Sequence, residues 1–404
     1  MPFQREPLFS GPLGDLLVKV GLVSPYDFSS PGGVTEHVRH LGHWLRRLGH
    51  EVRVFAPASR PESEEPGFYR IGRTFAIPVN DSVARITLSF HLARKVSDIL
   101  EEERFDVLHF HEPLMPALPL TLLRLSRTAN VGTFHAFARS NVGYYYGRPL
   151  LRPYLNHLHA GIAVSEPAER FLHQYFREFP LRVIPNGVDL GVFQPGLPPI
   201  RHLRDDRVNF LFVGRLEKRK GLIDLLRAYE HLRARFERAR LIVVGDGPLR
   251  SQVESYANRR RLPEVVFAGY VPKEVLPRYY GSADIFCAPA TGGESFGLVL
   301  LEAMACGLPV VATEVPGYLS LLEPGRDSLA VRPKAWAELG AALVVLARDA
   351  DLRRRMGASG LAKARRYGWG EVAGRVIEVY QEARRAAAPG KEEPVVHGAA
   401  SGLG

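Results

Sequence analysis

The sequence predicts an α/β protein made of two doubly wound domains that face each other across a deep cleft. Its 404 residues suit two domains at about 100–200 residues per domain. Short runs of Val, Ile and Leu alternate with helix-like segments throughout, which is typical of parallel sheets covered by helices on both faces. The alternation is interrupted by a turn-rich stretch at 185–199, so we place the division between the domains there.

The elements follow this alternation in order along the chain. The apolar runs that we expect to form strands are 17–23, 52–56, 107–110, 131–134, 161–164, 210–213, 241–244, 265–267, 284–288 and 310–312. The clearest helical segments are 35–48, 222–235, 249–258 and 369–387. In doubly wound sheets the carboxyl ends of the strands line the binding crevice, so functional residues should follow the strands.

Four boundaries complete the predicted organisation. Residues 17–188 form the first domain and residues 189–368 the second, while the last helix, 369–387, packs back on the first domain. The end segments 1–16 and 389–404 lack a pattern that would build a core, and we expect both to be disordered.

Composition narrows the possible functions. No apolar run approaches the ~18 residues of a membrane span, and the first 15 residues do not form a signal peptide, so we expect a cytoplasmic protein. Cys287 and Cys306 lie in apolar segments and should be small core residues. The net charge of +10 favours anionic partners such as nucleotide phosphates or acidic lipids. Nucleic acid is disfavoured, because no basic stripe is interleaved with aromatic residues.

The most informative segment is a glycine-framed pair of carboxylates within residues 290–307. Glu294 lies in a Gly/Ser loop, and Glu302 is the one polar side chain between Leu298 and Ala305. A loop with free N–H groups that leads into a helix favours a phosphate, and the two carboxylates suit hydroxyl groups. This combination predicts a sugar-nucleotide site. For Glu302 the alternative of a buried glutamate bonded to neighbouring backbone stays open.

A basic loop at 214–221 follows another predicted strand. Arg215 and Lys220 are suited to gripping a diphosphate, so that a leaving nucleotide is neutralised without a metal. We assign Lys218 and Arg219 to a solvated turn.

Further candidates follow strands of the first domain. Gly32-Gly33 permits close backbone approach but does not match the G-x-G-x-x-G pattern of nicotinamide cofactors. We expect His135 to bond a sugar and His109 to face the core. A zinc site from His109, His111 and His135 has no supporting spacing. Asp349-Ala350-Asp351 is predicted to be a helix N-cap.

Taken together, these motifs resemble the retaining glycosyltransferases of family 4, which have the GT-B fold. The residues that carry the resemblance are Gly32-Gly33, His135, Gly214-Arg215 with Lys220, the string 185–189, and Glu294 with Glu302. Further strings are similar to phosphatidylinositol α-mannosyltransferases, and they lie at 25–34, 80–85, 109–113, 133–135 and 292–297. The resemblance covers about 18–387.

This resemblance implies an enzyme that transfers a hexose, most simply mannose from GDP-mannose, to a lipid or polyol such as phosphatidylinositol, with no cofactor and no metal. The implied catalytic residues are His135, Arg215, Lys220 and Glu294. The implied donor-binding residues are Gly33, Arg215, Lys220, Val271, Glu294, Ser295, Phe296, Gly297, Leu298, Val299 and Glu302. The implied acceptor-binding residues are Tyr26, Gly33, Thr35, His135, Arg139 and Ser140.

The sequence departs from these mannosyltransferases at several positions. Thr35 stands where they have glutamine, and Arg139-Ser140 replaces a segment that contains a lysine. Arg94 and Lys95 match the start of their basic membrane-binding helix, but the later lysines are missing, so contact with the cytoplasmic face of an anionic membrane should be weak.

Other functions remain as alternatives. A UDP-sugar donor with another glycolipid or soluble acceptor is an alternative, since the segment 269–273 lacks an acid found in guanine-binding relatives. A sugar-nucleotide epimerase or a phosphorylase on a two-domain fold is less favoured.

Overall fold

The structure is a computed structural model that describes residues 17–30, 32–60, 67–72, 74–79, 82–87, 92–137 and 142–388, with backbone alone for 76–79 and 82–87. The end segments 1–16 and 389–404, for which the sequence predicts disorder, lie outside these ranges. The strands are β1 (Lys19–Val23), β2 (Glu51–Ala56), β3 (Phe68–Arg70), β4 (Thr74–Val79), β5 (Ser82–Thr87), β6 (Val107–His111), β7 (Ala129–Phe134), β8 (Ala160–Ala163), β9 (Arg182–Val183), β10 (Val208–Val213), β11 (Ala239–Val244), β12 (Val265–Gly269), β13 (Ile285–Ala288), β14 (Val310–Thr313) and β15 (Ser328–Val331).

Helices connect most of these strands. They are α1 (Gly33–Arg47), α2 (Ala93–Glu103), α3 (Leu118–Leu125), α4 (Val142–Leu155), α5 (Glu166–His173), α6 (Leu222–Arg233), α7 (Arg250–Arg259), α8 (Leu276–Tyr280), α9 (Leu298–Ala305), α10 (Pro316–Leu319), α11 (Trp336–Arg348), α12 (Ala350–Ala364) and α13 (Trp369–Ala387).

Two parallel sheets confirm the predicted α/β class. The first has the strand order β3-β2-β1-β6-β7-β8-β9 and the second has the order β12-β11-β10-β13-β14-β15. Every pair of neighbours within each sheet is parallel. The strand order reverses between β1 and β6 in the first sheet and between β10 and β13 in the second. These reversals are the switch points at which doubly wound sheets bind ligands, and the loops after β1, β10 and β13 lie there.

Helix α13 follows the second sheet in sequence but packs on the first. Trp369, Val376 and Tyr380 are buried in one apolar cluster with Val20 and Val131 of the first sheet. The chain therefore crosses back between the domains after α12, and its last helix contributes to the core of the first domain.

Local features of the chain include a capped helix, two free thiols and an unexpected hairpin. Asp349 caps α12 by accepting a hydrogen bond from the Leu352 N–H at 2.7 Å, as the sequence predicts. Cys287 and Cys306 are free thiols. The antiparallel hairpin of β4 and β5 was not predicted from the sequence. Among the described residues, none of the helices has the length and apolar character needed to cross a membrane.

Candidate active site

Two loops at the second switch point pack directly on each other. The N–H of Thr291, after β13, donates to the carbonyl of Arg219, after β10, at 2.7 Å. Between them, Gly221 has a φ of 71°, and a Cβ on it would lie 1.9 Å from the Pro289 carbonyl oxygen. Glycine is required there because any side chain would force the two loops apart.

Glu294 is held at the point where these loops meet. Its Oε1 accepts a hydrogen bond from Arg219 Nη1 at 2.6 Å and pairs with Lys220 Nζ at 2.8 Å. The residue is 8% exposed, so its carboxylate depends on these two cations for compensation. The assignment of Arg219 to a solvated turn was therefore wrong, whereas Lys218 is exposed.

Arg215 is connected to this pair through Glu217. Arg215 Nε lies 3.0 Å from one carboxylate oxygen of Glu217, and Arg219 Nε lies 3.2 Å from the other. Glu217 is buried, while the Arg215 side chain is 51% exposed. Glu217 was not predicted from the sequence. It fixes the stems of the two arginines and leaves the Arg215 guanidinium accessible to an anion.

Helix α9 begins at the end of the second loop. Gly297 caps it with a φ of 112°, where a Cβ would lie 3.0 Å from the ring of Tyr318. Leu298 and Val299 form its first turn, and the first N–H groups of a helix have no intrahelical acceptor. With Ser295 and the buried Phe296, this turn is the helix end at which the sequence predicts an anion-binding site.

Glu302 lies on α9 and has a side-chain partner. Tyr280 Oη donates to Glu302 Oε2 at 2.5 Å, so the partner of this carboxylate is a phenol and not the backbone that the alternative interpretation expected. Burial raises the pKa of Glu302 to about 7, although the Tyr280 hydrogen bond opposes the shift. The residue is partly exposed, so its carboxylate can accept a hydrogen bond from a hydroxyl-bearing ligand.

The two domains meet beside this helix end. Gly33 begins α1 in the first domain, and a Cβ on it would lie 3.8 Å from Leu298 Cδ1. Glu36 forms an ion pair with Lys273, and Ser165 Oγ donates to the Ser295 carbonyl at 2.5 Å. The ends of α1 and α9 thus face each other across the cleft.

A group of histidines lies on the first-domain side. His111 Nδ1 and His135 Nε2 are 3.1 Å apart, and His37 Nδ1 lies 2.7 Å from Asn186 Oδ1. Burial lowers the pKa of His37 to about 4 and the pKa of His111 and His135 well below the usual range. All three are therefore neutral at neutral pH, so His135 can exchange hydrogen bonds with a sugar hydroxyl without adding charge.

His109 faces the core, as expected. Its Nδ1 lies 2.8 Å from Tyr380 Oη and its Nε2 lies 2.6 Å from Thr133 Oγ1, which ties α13 to the first sheet. Both ring nitrogens are engaged, which argues against the zinc alternative that used His109. A different set of three histidines, His37, His111 and His135, brings its possible ligand atoms within 4.8 Å of one another.

Glu112 organises the chain after β7. Its Oε1 accepts the His135 N–H at 2.7 Å, and its φ of 55° is left-handed. Burial raises the pKa of Glu112 to about 7. Glu112 lies in the family-like string 109–113, but its role of holding the backbone of His135 was not predicted from the sequence.

The remaining predicted residues are distributed around the cleft. Thr35 is buried in the first turns of α1, and Tyr26 is partly exposed in the loop after β1. Val271 follows β12 and packs against the apolar core of the second domain. Arg139 and Ser140 lie outside the described residues.

Comparison with known proteins places this site in a family. A family model described as Glycosyltransferase Family 4 matches residues 31–192, and one described as Glycosyl transferases group 1 matches residues 197–363. The phosphatidyl-myo-inositol mannosyltransferase of Mycobacterium leprae is 36% identical over 368 residues, which are 90% of this chain and 96% of that protein. The chain belongs to glycosyltransferase family 4.

A second relative and a solved structure extend the comparison. The phosphatidyl-myo-inositol mannosyltransferase of Propionibacterium freudenreichii is 34% identical, over 90% of this chain and 94% of that protein. The solved structure of sucrose-phosphate synthase from Thermosynechococcus elongatus superposes with a TM-score of 0.73 at 23% identity, covering 91% of this chain and 100% of that one. This likeness confirms the GT-B fold of the family 4 glycosyltransferase.

Proposed function

We propose that this glycosyltransferase transfers mannose from GDP-mannose to the inositol of phosphatidylinositol. The observation that carries the proposal is the near full-length similarity to the mannosyltransferases of M. leprae and P. freudenreichii, which are named for this acceptor. The carboxylates, cations and helix end in the second domain supply the groups that a sugar nucleotide needs.

The second domain holds the donor in this proposal. Arg215, Lys220 and the first turn of α9 bind the diphosphate, and Glu302 accepts hydrogen bonds from the ribose. Glu294, fixed by Arg219 and Lys220, orients the hexose. As the glycosidic bond breaks, negative charge grows on the leaving phosphate, and fixed cations stabilise that charge without reorganising.

The first domain presents the acceptor. His135 lies at the carboxyl end of β7 and Gly33 faces the start of α9 across the cleft, so both border the space between the two substrates. With no separate nucleophile in this scheme, the acceptor hydroxyl attacks on the face from which the phosphate leaves. Its proton passes to that phosphate, and the configuration at the sugar is retained.

A substrate panel tests the proposal directly. Purified protein is incubated with GDP- and UDP-sugars, with and without phosphatidylinositol, and both nucleotide release and lipid glycosylation are measured. We expect GDP-mannose to be consumed and mannosyl lipid to form, with activity retained in a metal chelator. Preference for a UDP-sugar would contradict the proposed donor. Transfer to a soluble acceptor alone would contradict the proposed acceptor.

The raised pKa of Glu302 predicts a pH-dependent donor affinity. Below about pH 7 the protonated form of Glu302 predominates and loses its capacity as a two-oxygen acceptor, so nucleoside diphosphate binding should weaken as pH falls through this value. Titration calorimetry on either side of this pKa measures the effect. In Glu302→Gln, binding should be weaker at high pH and nearly independent of pH in this range, and an unchanged pH profile in that variant would contradict the ribose role.

A further inference from the structure

Three histidine rings are packed against one another on the first-domain side of the cleft. His37 lies on α1, His111 ends β6 and His135 directly follows β7. Their ring centroids are 5.2 Å apart for His37 and His111, 4.8 Å for His37 and His135, and 5.3 Å for His111 and His135. All three residues are buried. The fold thus brings imidazole nitrogens from three separate elements into one histidine group.

His111 differs from an ordinary core histidine in its hydrogen bonding. Its neighbour in β6, His109, uses both ring nitrogens, one on Tyr380 and one on Thr133. In contrast, His111 Nδ1 faces His135, but His111 Nε2 is buried and, within the part of the chain that the structure describes, has no hydrogen-bond partner. Leaving a buried polar atom unpaired is unfavourable. Hydrogen bonds within the protein therefore do not by themselves account for the ring of His111 at this position.

The contact between His37 and Asn186 fixes which nitrogen of His37 is available to a ligand. His37 Nδ1 lies 2.7 Å from the side-chain oxygen of Asn186. An amide oxygen can only accept, so Nδ1 carries the proton and Nε2 presents a lone pair. Histidines that bind a metal usually donate their second N–H to a carbonyl or carboxylate group, which orients the ring. Asn186 therefore holds His37 as such a partner holds a metal ligand.

The spacing of the nitrogens suits a transition-metal ion. His111 Nδ1 and His135 Nε2 are 3.1 Å apart, and one ring nitrogen from each of the three histidines lies within 4.8 Å of the others. A zinc ion bound at about 2.0–2.1 Å places the nitrogens of a tetrahedral site about 3.3 Å apart. Imidazole is a preferred ligand of Zn²⁺, Cu²⁺ and Ni²⁺, whereas Mg²⁺ and Ca²⁺ prefer oxygen. The histidine group therefore favours zinc over the alkaline-earth ions.

The protonation state of the histidine group also favours a cation. Burial lowers the pKa of His37 to about 4 and holds the pKa of His111 and His135 well below the usual range. Neutral imidazole is the form that binds metals, so the rings are ready to bind at neutral pH. Glu112 adds a carboxyl group beside them, since its Oε1 accepts the His135 N–H at 2.7 Å. This group can compensate part of the charge of a buried ion.

We propose that His37, His111 and His135 bind one Zn²⁺ ion and that this ion inhibits the enzyme. Three imidazole ligands leave the fourth position of the ion for water. His135 is the residue that we expect to bond the sugar, so an ion on its ring nitrogen competes with that hydrogen bond. The inhibition rests on the proposed function, whereas the metal site rests on the geometry of the histidine group alone.

Metal binding to the free protein tests the site without any substrate. The full chain, carrying no polyhistidine tag, is titrated with Zn²⁺ in competition with a chromophoric chelator. Among the described residues, this is the one group of three or more histidine, cysteine or acidic side chains placed to hold a metal, so we expect one ion per chain. X-ray absorption should show nitrogen ligands at about 2.0–2.1 Å. No binding at micromolar Zn²⁺, a sulfur ligand at about 2.3 Å, or equally tight binding of Mg²⁺ would overturn the proposal.

Variants locate the ion within the chain. His37→Gln and His111→Gln each remove one ligand, and Asn186→Ala removes the partner that orients His37. Loss of an orienting partner usually costs about 10–100-fold in metal affinity, and loss of a ligand should cost at least as much. His43→Gln is the matched control, because His43 lies on the same helix as His37 but is exposed, and its zinc affinity should be unchanged.

The same variants can contradict the site. If His37→Gln and His111→Gln fold, as judged by circular dichroism, and bind zinc as tightly as the unsubstituted chain, the ion lies elsewhere and the proposal is wrong. The ligands seen by X-ray absorption in the unsubstituted chain provide a test that does not depend on the folding of any variant.

Transfer assays with and without Zn²⁺ distinguish failure of the inhibition from failure of the proposed function. Saturating Zn²⁺ should lower sugar transfer by about tenfold, the contribution of one hydrogen bond, and a chelator should restore it. In Asn186→Ala, inhibition should need more Zn²⁺, by the same factor as the loss in affinity. If zinc binds the histidine group and transfer is unaffected, the inhibitory role is wrong. If no sugar nucleotide is consumed even with a chelator, the proposed function is wrong, while the binding data still decide the metal site.

Discussion

Replacing Lys220 with alanine should lower kcat/KM for the sugar nucleotide by about 10²–10³, the usual cost of losing one group that stabilises charge in the transition state. Lys220 Nζ pairs with Glu294 Oε1 at 2.8 Å, and its side chain is only 16% exposed, so solvent screens it little. The loss should appear mainly in kcat, because the negative charge on the leaving phosphate grows as the bond breaks.

Arg215→Ala should cause a loss of similar size for a related reason. Its guanidinium is fixed at Nε by Glu217 but is half exposed, which leaves its remaining N–H groups for the diphosphate. Steady-state kinetics of nucleotide release measure both variants. Lys218→Ala is the matched control, since Lys218 lies in the same loop and is exposed, and its activity should be close to normal. Near-normal turnover in both Lys220→Ala and Arg215→Ala would refute the diphosphate role.

The basic loop at 214–221 shows where sequence patterns stop being informative. Four cations lie between 215 and 220, and their order alone does not indicate which of them turn inward. The choice is made by Gly221, whose left-handed backbone lets the loop pack on Pro289 and bring Arg219 to Glu294. Because that contact joins residues 75 positions apart, it could not be inferred from the local pattern.

The burial of His37 in the histidine group could have been predicted from its spacing on α1. His37 is four positions before Leu41, on the same buried face of α1 as Val38 and Leu45. This spacing predicts that His37 points inward. Its partner Asn186, however, lies 149 positions away, so the hydrogen bond between them could be found only from the folded structure.

The parallel sheets were predictable because continuous apolar runs occur wherever both faces of a strand are covered.

Glu294→Gln offers the sharpest separation between binding the diphosphate and orienting the sugar. The change keeps the size of the side chain but removes its charge, so Arg219 and Lys220 lose their shared counter-charge. Arg219 keeps its pair with Glu217, but Lys220 loses the carboxylate that lies 2.8 Å from its Nζ and can pair with the ligand instead, so nucleoside diphosphate affinity should be equal or higher. Transfer should nevertheless fall by about tenfold to a hundredfold, since a hydrogen bond that involves a charged group contributes about 1.5–3 kcal/mol.

Glu302→Gln is the matching substitution on the helix that follows the Glu294 loop. The two variants should affect nucleoside diphosphate affinity differently. Glu302 is proposed to hold the ribose, which is bound similarly before and during the reaction, so its loss should raise KM and weaken nucleoside diphosphate binding with a smaller change in kcat. Calorimetry and kinetics on both variants measure this contrast. If Glu294→Gln weakens diphosphate binding as much as Glu302→Gln does, Glu294 acts by shaping the anion site and not by orienting the sugar. A loss in kcat with undiminished diphosphate binding supports the sugar role, because that combination requires a group that acts on the part of the donor being transferred.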